Sequence, residues 1–201
     1  HESEELSPYA SGRKWYGDLF TGQDRFKEFV FDVPDFDNTK VCWIESNVLG
    51  RCNTAFSYNL LVNDSLVVNQ YPIAKCGDYD FGKEHKIVRR VFVINNPIVV
   101  HYEILQSPSN PMLFNDYLVL NFWRMLRFHG GEMAFRIVPS QVTEPFTKVQ
   151  LAGVGAQTTC WDVTNPLCPF RQPMDFDSGG ASFGIADSIE YQFHLFEPAG
   201  V

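Results

Sequence analysis

Asp116 and Tyr117, adjacent where an apolar run begins, are the side chains whose types best suit proton transfer. A carboxyl beside a phenol at the mouth of a strand is a group whose pKa a cavity can tune for acid or base work. The same aspartate would also serve to cap a turn or to pair with Arg124 or Arg136. Arg89 and His101 fall on alternating segments, where each either orients the polar end of a ligand or faces solvent. His1 could chelate copper through its amine and ring, with His85, His101, His129 or His194 completing the pair, and no spacing selects among them. The five cysteines (Cys42, Cys52, Cys76, Cys160 and Cys168) contain no Cys-x-x-Cys, so no thiolate metal site is expected. Neither a Ser-His-Asp spacing nor a Gly-x-Ser-x-Gly elbow occurs, and Ser178-Gly179-Gly180 reads as a loop.

The elements that must position these groups read as strands. Residues 115–137 predict two of them, 117–125 and 132–137, back to back around a turn at His129-Gly130-Gly131. In the first, Val119, Asn121 and Trp123 share one face, and Leu118, Leu120, Phe122 and Arg124 the other. Upstream, strands are expected over 26–33, 41–45, 53–61, 66–71, 86–94 and 98–105, with Val62-Asn63-Asp64-Ser65 as a tight hairpin turn. Strands near ten residues apart, all joined by turns, point to an antiparallel sandwich or up-and-down barrel. After Pro139 a short helix is expected, capped by Thr143, with Pro145 in its first turn and Phe146, Val149 and Gly153 on one face. Pro166, Pro169 and Pro173 make the following stretch irregular, and residues 182–196 offer a last alternating strand.

The chain of 201 residues suits one β-rich domain. Its formal charge of −8, with no run of Lys or Arg, argues against nucleic acid and, more weakly, against an anionic membrane surface. No apolar run is long enough for a membrane-spanning helix. The polar lead-in from His1 reads as a mature end or as the point where the sequence begins. The 18 Phe, 8 Tyr and 4 Trp serve a large core or the lining of an apolar cavity. Scattered cysteines fit disulfides in an oxidising compartment with one thiol left over, or else five buried thiols in a reducing one. Asn63-Asp64-Ser65 matches a glycosylation acceptor.

Gly12-x-x-Trp15-Tyr16 resembles the Gly-x-Trp-Tyr start of lipocalins with one residue more, and Asn115-Asp116-Tyr117 resembles that family's Thr-Asp-Tyr motif. Gly50-Arg51-Cys52 with Phe56, Tyr58 and Asn69-Gln70 is similar to the second-strand region of apolipoprotein-D-like lipocalins. Asp116-Tyr117, Gly130-Gly131, Phe135-Arg136, Pro139, the expected helix and Cys160 or Cys168 are most similar to the lipocalin-like domain of violaxanthin de-epoxidase and its relatives. The resemblance spans roughly residues 12–168, and that enzyme's Cys-rich and Glu-rich flanking regions have no counterpart.

It implies an all-β, lipocalin-like antiparallel up-and-down barrel over 12–160, a short C-terminal helix, an arm over 1–11 and an irregular extension over 161–201. The barrel would hold a small hydrophobic molecule, a carotenoid or xanthophyll, without catalysis. Tyr16, Arg89, His101, Tyr102 and Trp123 would line the site. Trp15 would close the barrel floor against Arg136, and a disulfide would join Cys52 to Cys160 or Cys168. The compartment implied is the thylakoid lumen or another oxidising space. Three other readings stand beside this one. A structural subunit would be docked on a larger, photosynthetic or membrane-bound complex. A de-epoxidase would use Asp116 to protonate an epoxide oxygen, with Tyr102 or Tyr117 assisting and ascorbate as reductant. A copper monooxygenase built on His1 would resemble the lytic polysaccharide monooxygenases.

Overall fold

Strict alternation marks the two inner strands of one sheet. In Phe56–Val62 and again in Ile98–Ile104, every second residue is buried and each one between is half-buried, the pattern of a strand with one face on a core. The computed structural model describes residues 6–8, 14–93, 95–105, 110–141, 146–186 and 189–198. Among the described residues fifteen strands run in order: β1 (Asp18–Thr21), β2 (Phe26–Phe31), β3 (Cys42–Arg51), β4 (Phe56–Val62), β5 (Ser65–Ile73), β6 (Lys83–Val91), β7 (Ile98–Ile104) and β8 (Met112–Asn121). They continue as β9 (Glu132–Ile137), β10 (Thr147–Ala152), β11 (Thr159–Asp162), β12 (Phe170–Arg171), β13 (Asp175–Asp177), β14 (Gly180–Ile185) and β15 (Tyr191–Phe196). All the pairings between these strands are antiparallel.

The chain divides into two compact units, one ending at Arg124 and one starting at Met125. In the first, β1-β8-β3-β6 form one open sheet and β2-β7-β4-β5 another. Their inward residues, among them Phe20, Ile44, Val48, Tyr58, Leu60, Val100, Tyr102 and Leu118, make one continuous core. Each such side chain, fully buried, stabilises the unit by roughly 1.5–3 kcal/mol. The hairpin turn falls where expected: Asn63 and Asp64 hold φ values of +43° and +64°, the conformation a two-residue turn between β4 and β5 demands. The Asn63 amide, offered by sequence as a glycan acceptor, donates to the Asn95 carbonyl at 3.1 Å.

In the second unit, β12-β11-β15-β9 form a four-stranded sheet and β10-β14-β13 a three-stranded one. Phe135, Val149, Leu151, Cys160, Phe183, Phe193 and Leu195 fill its core.

Several expectations are corrected here, while the all-β, antiparallel class stands. The strands do not close into a lipocalin barrel over 12–160; each unit is built of two open sheets. Residues 115–137 do not form a hairpin: β8 pairs with β1 and β3, while β9 pairs with β15 in the other unit. The C-terminal helix is replaced by β10, in which Val149 and Leu151 are buried at a spacing of two, while Phe146 just before it stays 75% exposed. Its proposed cap and first turn, Thr143 and Pro145, lie outside the described residues. The extension after 160 is not irregular, because Pro166, Pro169 and Pro173 fall between strands and leave β11 to β15 intact. Of the arm over 1–11, Leu6 is held as a bridge, exchanging backbone hydrogen bonds of 2.8 and 2.7 Å with Tyr16. No disulfide joins the five cysteines, so the bridge from Cys52 to Cys160 or Cys168 is absent. Burial raises the Cys42 thiol and, with the charge of Asp162 added, pushes Cys160 up to about 12.

Gly180 carries the tightest backbone constraint of the second unit. Its φ of +147° opens β14, and a Cβ there would be driven into the Leu151 carbonyl oxygen of the paired strand. Gly180→Ala is expected to cost at least about 2 kcal/mol, read as an earlier denaturant midpoint for the second unit with the amides of β10 and β14 exchanging faster. An unchanged midpoint contradicts this packing.

Candidate functional site

Ser46 sits on the inward parity of β3 with Cys42, Ile44 and Val48, so the strand carries a hydroxyl into an apolar core. Tyr102 of β7 meets it from the opposite sheet, Oη to Oγ at 2.6 Å, and also lies 3.5 Å from Asn115 Oδ1 on β8. All three side chains are buried. Burial raises the Tyr102 phenol well above its ordinary value, with the hydrogen bond to Ser46 working the other way. A buried hydroxyl that finds its partner this way avoids the desolvation cost of an unmet one.

The network has an aromatic neighbour that reaches the surface. Tyr58 stacks beside Tyr102 with centroids 6.4 Å apart, and its Oη lies 2.7 Å from His85 Nδ1 on the edge strand β6. His85 in turn stacks on Tyr71 of the edge strand β5, ring planes 4° apart at 3.3 Å. A register shift between Tyr58 and Leu60 bends β4 and β5 here, and Gln70 takes φ +48° with its N–H on Asn59 Oδ1 at 2.8 Å. Burial first, and the nearby Arg89 charge second, hold the His85 pKa below that of a free histidine. Tyr71, at 37% exposed, is where this chain of rings opens to solvent.

Asp116 belongs to a separate brace on the outer face of the first sheet. The β3–β8 register runs Asn47 to Tyr117 and then Val48 to Asn115, so Asp116 is the extra residue of a β-bulge. Its Oδ2 accepts from Asn47 Nδ2 at 2.7 Å and lies 3.3 Å from Lys14 Nζ, which also pairs with Glu84 at 2.6 Å. Desolvation opposes the Lys14 ammonium, yet Glu84, Tyr16 and Asp116 together raise its pKa. Tyr117 donates to Glu45 Oε1 at 2.8 Å, and Lys86 meets the same oxygen at 2.6 Å. Lys86 and then Tyr117 hold the Glu45 carboxyl below its usual range. Asp116 and Tyr117 therefore engage different partners, and each bond ties β8 to β3.

The remaining expected residues do not converge. Tyr16 is buried in a small cluster with Leu49 and Phe114, and burial raises its phenol. Arg89 is exposed and donates to the Val88 carbonyl, His101 packs edge-on against Phe26 at 5.3 Å, and Trp123 is half-buried. Tyr102 is the core residue described above. Trp15 is 43% exposed and so closes no barrel floor, while Arg136 lies 3.3 Å from Glu190 in the second unit. His1 lies outside the described residues, and among the described residues no three His, Cys, Asp or Glu gather as a metal site.

Lys14, Asn47 and the Tyr58–His85–Tyr71 stack were missed from sequence. Ser46 had a signal: a polar residue at the inward parity of an otherwise apolar strand.

Two outcomes follow from this geometry. Tyr102→Phe strands the Ser46 hydroxyl and is expected to cost about 1–2 kcal/mol in urea unfolding, with Ser46→Ala coupled to it by about 1 kcal/mol; strict additivity contradicts the bond. Because the folded His85 pKa lies below the unfolded one, the unfolded chain takes up the proton first as pH falls. Its contribution to stability is therefore lost between about pH 6.5 and the lowered folded value. His85→Gln should flatten the stability profile in that window, and an identical slope in the variant assigns the loss to other groups.

No family model matches the chain, and no curated protein matches it. Among solved structures it is similar to dimeric latent PorU from Porphyromonas gingivalis, with a TM-score of 0.73 at 16% identity. The match covers 96% of this chain and 19% of PorU, so the chain spans about a fifth of that protein's length. At this identity the likeness is one of fold.

Proposed function

We propose that this chain is a non-catalytic β module that serves a larger protein or complex through protein–protein contact. The observation that carries the reading is the likeness to PorU, in which 96% of this chain matches a stretch making up only 19% of the other. That points to the two units together as a building block within something larger. The cores support it too. Side chains such as Phe20, Phe29, Tyr58 and Tyr102 occupy the space between the sheets where a carotenoid calyx would have to open. What is left to offer a partner is the outside. On the outer face of the first sheet, Arg90 lies over the Trp43 ring at 4.7 Å, with the exposed Val88 and Val119 nearby. Trp and Arg are the residue types that most often anchor protein interfaces.

Native sizing of an extract from cells that make the protein, followed by denaturing immunoblot and mass spectrometry of an organic extract, tests the reading. It expects the chain in a species well above its own 23.0 kDa, as a longer polypeptide or a complex, with no stoichiometric pigment or lipid. A species of the chain's own mass that carries a hydrophobic ligand overturns it.

A further inference from the structure

We propose that Cys52 and Cys76 form an oxidisable dithiol, a site of intramolecular disulfide formation that ties together the two sheets of the first unit at one end. Cys52 follows the last residue of β3, in one sheet, and Cys76 lies just past the end of β5, in the other. Gly50 lets these ends approach, since a Cβ there would sit 2.5 Å from Ile73 Cγ2. The Cys76 N–H donates to the Cys52 carbonyl at 2.8 Å. Added to the fixed reach of about 1.5 Å from Cα to N and about 2.4 Å from Cα to O, that bond keeps the two Cα atoms within about 6.7 Å. A disulfide spans roughly 4.4–6.8 Å between Cα atoms.

Both side chains are buried. The Cys52 sulfur lies 3.8 Å from Thr54 Oγ1, and the Cys76 sulfur 3.8 Å from the Gly50 carbonyl and 4.0 Å from that of Ala74. Thiols are weak hydrogen-bond donors, so turning either side chain about Cα–Cβ gives up little. Cys42 offers no alternative partner for Cys52, since it starts the strand that Cys52 follows, and ten residues of β-strand separate them by about 33 Å.

The oxidant is a small-molecule disulfide such as oxidised glutathione. One cysteine thiolate attacks a sulfur of that disulfide and releases one glutathione thiolate, leaving a mixed disulfide. The second cysteine thiolate then attacks the protein sulfur and releases the other. Two electrons pass to the oxidant, and the two thiol protons leave with the two glutathione molecules.

The test refolds the full chain from denaturant in a buffer of reduced and oxidised glutathione, alkylates the remaining thiols, and maps the peptides by mass without reductant. The expected major product links the peptides that hold Cys52 and Cys76, with Cys42, Cys160 and Cys168 alkylated. Its thermal midpoint should lie several degrees above that of the same protein after dithiothreitol. Cys52 and Cys76 both fully alkylated, or linked mainly to other cysteines, overturns the proposal. Cys76→Ser should lose the midpoint's response to oxidant; if that variant does not fold, the peptide map of the parent chain decides alone.

Discussion

Tyr102 is the constraint on which the first unit depends. Its ring touches Phe20 of β1, Phe29 of β2 and Tyr58 of β4, and its hydroxyl reaches Ser46 of β3 and Asn115 of β8. One side chain thus fixes the spacing of strands from both sheets. The apolar ring contributes by area, which tolerates sliding, whereas the hydroxyl contributes by a bond that does not. A core with this polar centre has one register in which its donor and acceptor meet, so specificity of packing comes with the stability. The His85–Tyr58 contact extends the same logic to the edge, where β5 and β6 meet through stacked rings.

The outer face of the first sheet follows a different rule. There the bulge at Asp116 adds one residue to β8, and the surplus carboxylate is taken up by Asn47 and Lys14. Bulges often re-aim side chains next to active sites, and this one re-aims Asp116 into a brace. The result is a surface laced by Lys14, Glu84, Glu45 and Lys86, with Trp43 and Arg90 left to face solvent.

Much of the secondary structure was legible in the chain. Period-two burial marked β2, β4, β7 and β9, and Asn63-Asp64 marked its turn because those residue types tolerate positive φ. Beyond that one hairpin, pairing was not legible. Alternation says which side chains point inward but not which strand lies beside which, so a sandwich and a barrel share one pattern, and β8 and β9 looked like partners only because they are neighbours in sequence. Residues 146–153 misled for a related reason. Phe146, Val149 and Gly153 satisfy a helical spacing, Val149 and Leu151 satisfy a strand spacing, and a stretch this short leaves the choice to the pairing with β14. The site was least legible of all. Asp116 and Tyr117 drew attention as a carboxyl and a phenol at the mouth of a strand, yet they lie within β8, and the bulge there and the Lys14 that answers it depend on contacts between distant segments.

The division of the chain into two sandwiches rests on the pairing of β9, and cross-strand nuclear Overhauser contacts measure it directly. The backbone protons of Glu132–Ile137 should give strong contacts to those of Tyr191–Phe196, in the antiparallel register that sets Phe135 opposite Phe193. Contacts instead to Met112–Asn121 would restore the hairpin that neighbouring strands suggest in sequence, and would contradict the two-unit architecture.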